Sequence, residues 1–219
     1  MGACVETSCR GSRRIAVAAA LLAGFAGAAQ AGADPVKDWS VGVFAGRGVT
    51  NDLRNLPYDE VAGDIHWVDS RVVEGIVRYA IKTPDWLPGN SPTAWIPLQL
   101  SVEGGIYGYS GLADNGAFSL DFRPSINFLD LGPISFDFAY GIGLWRSMGT
   151  PWYNHPNHAE YNRQYKTLLH MTPEIVVRAQ NLPGWSLGFR DSHVSGAYGA
   201  IAPSSLGTNH LGVTVMKAF

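Results

Sequence analysis

Bulky apolar residues alternate with small or polar ones through most of this chain, and a period of two belongs to a strand with two different faces. The clearest stretch sets Phe118, Leu120, Phe122, Pro124, Ile126 and Phe128 against Ser119, Asp121, Arg123, Ser125 and Asn127. The next sets Ile134, Phe136, Phe138, Tyr140, Ile142 and Leu144 against Ser135, Asp137, Ala139, Gly141 and Gly143. Only Asp130-Leu131-Gly132-Pro133 separates them, a tight turn by composition. Ile96 to Ile106 and Leu169 to Val177 repeat the pattern, and weaker versions run from Trp39 to Gly46, Arg71 to Ala80, Trp185 to Ser195 and Asn209 to Phe219. Together they predict eight strands of about ten residues, the length that crosses a bilayer when tilted.

The two faces decide between a soluble sandwich and a membrane barrel. One carries the large aromatic and aliphatic side chains; the other mixes Gly and Ser with Glu103, Asp121, Arg123, Asp137, Glu174, Arg178 and Arg190. A sandwich would leave that polar face in water. A small barrel turns the apolar face to lipid and pairs the charges inside, where each needs a partner. The terminal Phe219, closing the alternation Leu211, Val213, Val215, is typical of outer-membrane barrels. The expected fold is therefore all-β, an eight-stranded antiparallel transmembrane β-barrel. Closure also removes sheet edges. The turns at Asp130–Pro133 and Asn181–Gly184 are short and belong on the periplasmic side, and the stretches from Arg47, Tyr109, Arg146 and Gly196 are longer and belong outside. The connection from Ile81 to Thr93 is long yet falls on the periplasmic side.

Composition adds the compartment. Of 219 residues only 16% are charged, against roughly 25% in soluble domains, and the formal net charge is −2. That balance lacks the clustered Lys and Arg of a nucleic-acid binder. Arg10, Arg13 and Arg14 precede an apolar run from Ile15 to about Ala29 and then Ala29-Gln30-Ala31, the order of a signal peptide. Residues 1–31 are expected to be cleaved after Ala31, with Ala33 as the competing site, leaving 32–219 as the barrel domain. Cys4 and Cys9 leave with that segment, so the mature chain has no cysteine. Ser12-Arg13-Arg14 hints at twin-arginine export, but a membrane barrel needs unfolded delivery.

Candidate chemistry gathers on the seventh strand. Its odd positions run Trp185, Leu187, Phe189, then Asp191, His193 and Ser195, all projecting from the lipid-facing side near its external end. Serine needs a base to take its proton, and that histidine needs an orienting partner on its other nitrogen. Residues two apart on a strand have Cα atoms about 6.5 Å apart, within reach through suitable rotamers. Counting back from Phe219 puts Asn209 on the same face and level. The same spacing also suits polar residues that merely face lipid headgroups. His155 and His158, in the long loop from Arg146 to Tyr165, lack a nearby third ligand and read as loop polarity rather than a metal site. Trp145, Trp152 and Tyr153 read as an interfacial aromatic girdle, and Glu174, His170 and Arg178 as one interior network.

The segment Phe189-Arg-Asp-Ser-His-Val-Ser-Gly-Ala-Tyr-Gly199, followed by Gly207-Thr-Asn-His-Leu-Gly-Val-Thr-Val-Met-Lys-Ala-Phe219, resembles the end of the outer-membrane lipid A 3-O-deacylases and their acyloxyacyl hydrolase-like relatives. The resemblance implies a barrel in the bacterial outer membrane with its site facing lipid, His193 as general base, Ser195 as nucleophile, and an ester-linked acyl chain of lipid A, the anchor of lipopolysaccharide, as substrate, without cofactor or metal. Two positions depart from the family. Its glutamate, about fourteen residues after the histidine, is replaced here by Gly207, which leaves Asn209 or Asp191 to orient His193. Its asparagine after the serine is replaced by Gly196, whose backbone amide, or a neighbour's, is the expected oxyanion donor. The alternative is a non-enzymatic barrel for envelope stability, adhesion or narrow transport, with its function in the loops around Asn51–Asp64 and Arg146–Tyr165. An acyltransferase would share the nucleophile. The acyl position and a possible homodimer stay open.

Overall fold

Eight antiparallel strands close on themselves in chain order: β1 (Trp39–Val49), β2 (Trp67–Ile81), β3 (Leu98–Gly111), β4 (Gly116–Asp130), β5 (Ile134–Ser147), β6 (Thr167–Ala179), β7 (Trp185–Ser195) and β8 (Gly207–Ala218). This computed structural model describes residues 38–50, 63–81, 98–153, 160, 164–203 and 206–219. The expected signal peptide, His155, His158 and most of the Asn51–Asp64 stretch lie outside them. Strand β8 pairs with β7 on one side and β1 on the other, so the sheet has no free edge.

The alternation sorts the two faces as the sequence implies. Ile106, Leu120, Leu144 and Leu187 stand more than half exposed on the outer wall, while Ser119, Asp121, Arg123 and Asp137, the intervening residues, are buried inside. An exterior this apolar is stable only against lipid, and a closed barrel satisfies the backbone groups that lipid cannot. The chain is a membrane-spanning barrel of the outer-membrane type.

Two short turns mark one end. The Gly132 amide donates to Asp130 Oδ1 (2.8 Å) and Leu131 N–H to Ile134 O (3.0 Å). Gly132 and Gly184 take φ of +83° and +77°, a left-handed conformation that glycine adopts without a Cβ clash. At the other end, β3 and β4 run on to Gly111 and Gly116, so the connection expected to be long from Tyr109 is only Leu112–Asn115. Tyr109 is itself a strand residue that packs inside.

The interior is filled in layers. At mid-height Arg78, Arg123 and Arg190 interlock with Glu74, Glu103 and Glu174: Arg78 Nη2 lies 2.6 Å from Glu103 Oε2, Arg190 Nη1 2.8 Å from Glu103 Oε1 and Nη2 3.0 Å from Glu174 Oε2, while Arg123 also pairs with Glu174. Three cations against three anions make the layer neutral, as a dry interior requires. Arg178 pairs instead with Asp137, nearer the turn end. Above the charges, toward the loop end, Phe44, Tyr107, Tyr109, Trp145, Tyr153 and Leu168 form an apolar plug. Trp145 donates Nε1–H to Tyr109 OH (3.1 Å), Tyr153 OH donates to Tyr165 O, and Trp152 packs against the cluster. These three aromatics therefore belong to the plug and not to a lipid-facing girdle. Trp145 follows the inward parity of Gly141 and Gly143.

Candidate active site on the outer wall

Parity carries the outer face of β7 from apolar to polar without interruption. Trp185, Leu187 and Phe189 are about half exposed, and the next residues on that face are Asp191, His193 and Ser195. Across the β7–β8 pairing Asp191 faces Leu211, His193 faces Asn209 and Ser195 faces Gly207. The position that matches the family glutamate is thus opposite the serine, while the histidine meets Asn209. His193 Nδ1 is hydrogen bonded to Asn209 Oδ1. An amide oxygen only accepts, so the contact selects the tautomer with the proton on Nδ1. The ring thus meets Asn209 across the hairpin, and Asp191 sits one pleat below on the same face. Asp191 and Asn209 are only 7% and 6% exposed, whereas His193 and Ser195 are half-buried and reachable from outside.

The chain beyond Ser195 turns sharply over the loop end. Gly196 O accepts from the amides of Gly199, Ile201 and Ala202 (3.2, 3.1 and 3.1 Å), and a Cβ at position 196 would lie 2.3 Å from Ala202 O. Only glycine fits there. Its amide, the expected oxyanion donor, is engaged by Leu206 O at 2.9 Å. The amide beside the Ser195 hydroxyl is that of Ala197, 3.4 Å from Oγ. Ala197 and Tyr198 both adopt φ of +54°, costing roughly 1–2 kcal/mol each for residues with a Cβ. Strain of that kind is held where the backbone must point in one direction.

Inside the wall the structure holds a constellation the sequence reading did not find. Asp121 Oδ2 lies 2.8 Å from His170 Nδ1, and His170 Nε2 lies 3.2 Å from Ser192 Oγ and 3.4 Å from Tyr107 OH. By distance this is an acid–base–hydroxyl relay, yet Asp121, His170 and Ser192 are 1%, 0% and 3% exposed and face the barrel core. An acyl ester in the membrane cannot reach it. His170 was expected to share one network with Glu174 and Arg178; instead the three residues pair at three different heights. Parity could place Asp121, His170 and Ser192 inside, but not at one level. A second Ser–His contact joins Ser70 Oγ and His210 Nε2 at 2.9 Å near the loop end.

A polar vestibule of about 540 Å³ opens at the turn end among Arg78, Asp130, Asp137 and Arg178, at the far end of the barrel from His193. Among the described residues no group of three His, Cys, Asp or Glu side chains is placed to hold a metal ion.

No protein-family model and no curated protein sequence matches the chain. Solved structures do. The outer membrane enzyme PagL superposes with a TM-score of 0.51 at 16% identity, over 82% of this chain and 99% of PagL. Neisserial surface protein A (NspA) gives 0.48 at 11% identity over 84% and 97% of the two chains. Ail, the attachment invasion locus protein of Yersinia pestis, gives 0.32 at 10% over 82% and 96%. The chain has the barrel fold of PagL. Identity this low carries fold and no more.

Proposed function

We propose that the chain is an esterase of the bacterial outer membrane that removes an ester-linked acyl chain from lipid A, the lipid anchor of lipopolysaccharide. The observation that carries this reading is the pairing of His193 with Asn209 on the lipid-facing wall, two residues from Ser195 on the same face. The substrate enters sideways from the outer leaflet, which is why the machinery faces outward. With the Nδ1 proton held by Asn209, Nε2 is the base nitrogen. It takes the Ser195 proton as Oγ attacks the acyl carbonyl, forming a tetrahedral oxyanion. The Ala197 amide, held by the strained turn, is the donor nearest that oxyanion, since the Gly196 amide is engaged. Collapse breaks the ester C–O bond, the leaving alkoxide oxygen takes the proton back from His193 to become a hydroxyl, and water then releases the fatty acid from Ser195 by the same route. Asp191, one pleat below, adds a negative charge that favours the transient imidazolium. Asn209 supplies orientation without charge, which predicts a slower enzyme than one with a carboxylate in its place.

The rival is a non-enzymatic barrel, and Gly207 at the family's glutamate position is the observation that favours it. A filled interior argues against a transport role for either reading. The two separate on the lipid. Mass spectrometry of lipid A from cells expressing the wild type is expected to show loss of one acyl chain, and Ser195→Ala and His193→Ala are expected to abolish it. A gain in mass would mean acyl transfer. Unchanged lipid A, with the wild type folded and inserted, would leave the structural barrel.

A further inference from the structure

Two arginines stand side by side on the outer wall, on the two strands beyond the one that bears Asn209. Arg47 of β1 is directly opposite Arg71 of β2, and Leu211 of β8 is directly opposite Arg47 on its other side. Leu211 in turn faces Asp191. One row around the wall therefore reads Asp191, Leu211, Arg47, Arg71, and the row one pleat nearer the loop end begins His193, Asn209. At a strand spacing of about 4.8 Å the backbone of Arg47 is about 10 Å from that of Asp191, and Arg71 about 14 Å.

Like charges directly across a sheet repel, so such a pair is kept only where something offsets it. The protein offsets it in part. Arg47 lies over the Trp67 ring, 5.6 Å from its centroid, and donates Nε–H to Val68 O (3.2 Å). Arg71 Nη2 is 3.8 Å from Asp69 Oδ1, but both side chains are about three-quarters exposed, and such an ion pair is weak. Asp69 is the one carboxylate described within 4 Å of the two guanidiniums, and Asp191, at the other end of the row, lies about 10 Å from Arg47 along the backbone. A shallow, open recess of about 550 Å³ on this wall is lined by both arginines together with Ala45, Val73, Leu211 and Trp67. Apolar lining beside two charged forks suits a ligand that is part acyl chain and part anion. Guanidinium binds phosphate through paired N–H donors.

We infer that Arg47 and Arg71 form a phosphate clamp for the phosphorylated sugar headgroup of an outer-leaflet glycolipid, holding it with an acyl ester one sugar ring away over His193 and Ser195. This rests on the proposed reading of the outer-wall site for the identity of the lipid. It adds a recognition element on β1 and β2, outside the terminal segment that carries the chemistry. The clamp selects phosphorylated over unphosphorylated headgroups and fixes which ester meets Ser195.

Binding is measured on a Ser195→Ala background, so that lipid is retained. Native mass spectrometry in detergent micelles compares lipid A, dephosphorylated lipid A and phosphatidylglycerol. The parent is expected to prefer phosphorylated lipid A over the dephosphorylated form by about tenfold or more, the scale of charge-assisted hydrogen bonds. Arg47→Gln and Arg71→Gln each reduce the preference, and the double variant removes it, binding the phosphorylated and dephosphorylated forms equally. The Arg47→Lys, Arg71→Lys variant keeps the charge, preserves the fold if the glutamine variant does not, and recovers only part of the preference. A double glutamine variant that still prefers phosphorylated lipid A overturns the clamp. So does a parent that holds phosphatidylglycerol equally well, which would mean general attraction to anionic lipid. Acyl release by the active protein is scored separately: if Ser195 proves dispensable, the esterase reading fails while the headgroup preference stands or falls on its own data.

Discussion

Arg190→Met tests whether the barrel is locked by a neutral charge layer. Arg190 is fully buried, and its guanidinium meets carboxylates from three strands: Glu103 at 2.8 Å, Glu174 at 3.0 Å and Glu74 at 3.4 Å. Methionine keeps much of the length and removes the charge, leaving Arg78 and Arg123 against three glutamates. Glu103 and Glu174 retain those two arginines, whereas Glu74 loses its only guanidinium among the described residues. Leaving one buried charge uncompensated costs about 3–5 kcal/mol. With a urea dependence of about 2 kcal/mol per molar, the unfolding midpoint falls by about 2 M. Tryptophan fluorescence of the refolded barrel in detergent micelles, titrated with urea, reads that shift. Glu74→Gln added to Arg190→Met restores neutrality and is expected to recover at least half of the loss. A midpoint within about 0.5 M of wild type for the single variant, or a double variant no more stable than the single, would refute the neutral lock.

Other outcomes follow from the two faces and the site. Leu120 is 63% exposed on the outer wall, so Leu120→Arg is expected to cost about 2–4 kcal/mol in a lipid bilayer, where the same change on a water-facing strand would be nearly neutral. Equal stability of the two proteins in liposomes would contradict a lipid-facing wall. Ser192→Ala removes a hydroxyl from the sealed Asp121–His170–Ser192 cluster, and is expected to lower stability by about 1 kcal/mol while lipid A deacylation continues. Loss of deacylation in that variant would move the chemistry indoors. Asn209→Ala frees the His193 ring and is expected to slow acyl release by about 10²-fold, with Asn209→Asp restoring or exceeding the wild-type rate. A rate for Asn209→Ala within twofold of wild type would remove Asn209 from the site.

The strand count and the faces were legible because one physical rule governs both: neighbouring side chains on a strand point to opposite solvents. The same rule puts Trp145 inside, where residue type alone suggested a lipid-facing girdle. An indole reads as interfacial, yet position 145 shares the inward parity of Gly141 and Gly143. Height was what one strand at a time could not supply. His170, Glu174 and Arg178 are all inward, but their partners come from five different strands, β2, β3, β4, β5 and β7, and only the register between strands says which side chains meet. The same holds outside. Asn209 was placeable opposite His193 because β7 and β8 form a hairpin near the chain end, where the count is short. Arg47 and Arg71 could not be placed beside that pair, since the contact between β1 and β8 joins the two ends of the barrel.

That seam gives the outer wall a dependence on completion. The row Asp191, Leu211, Arg47, Arg71 draws on the last two strands and the first two, and it crosses the junction of β8 with β1. In an open or partly zipped sheet those residues lie at opposite margins, separated by the whole width of the sheet. The row comes into being as the final hydrogen bonds form, so an unfinished chain crossing the periplasm presents no such surface to the lipids it meets on the way.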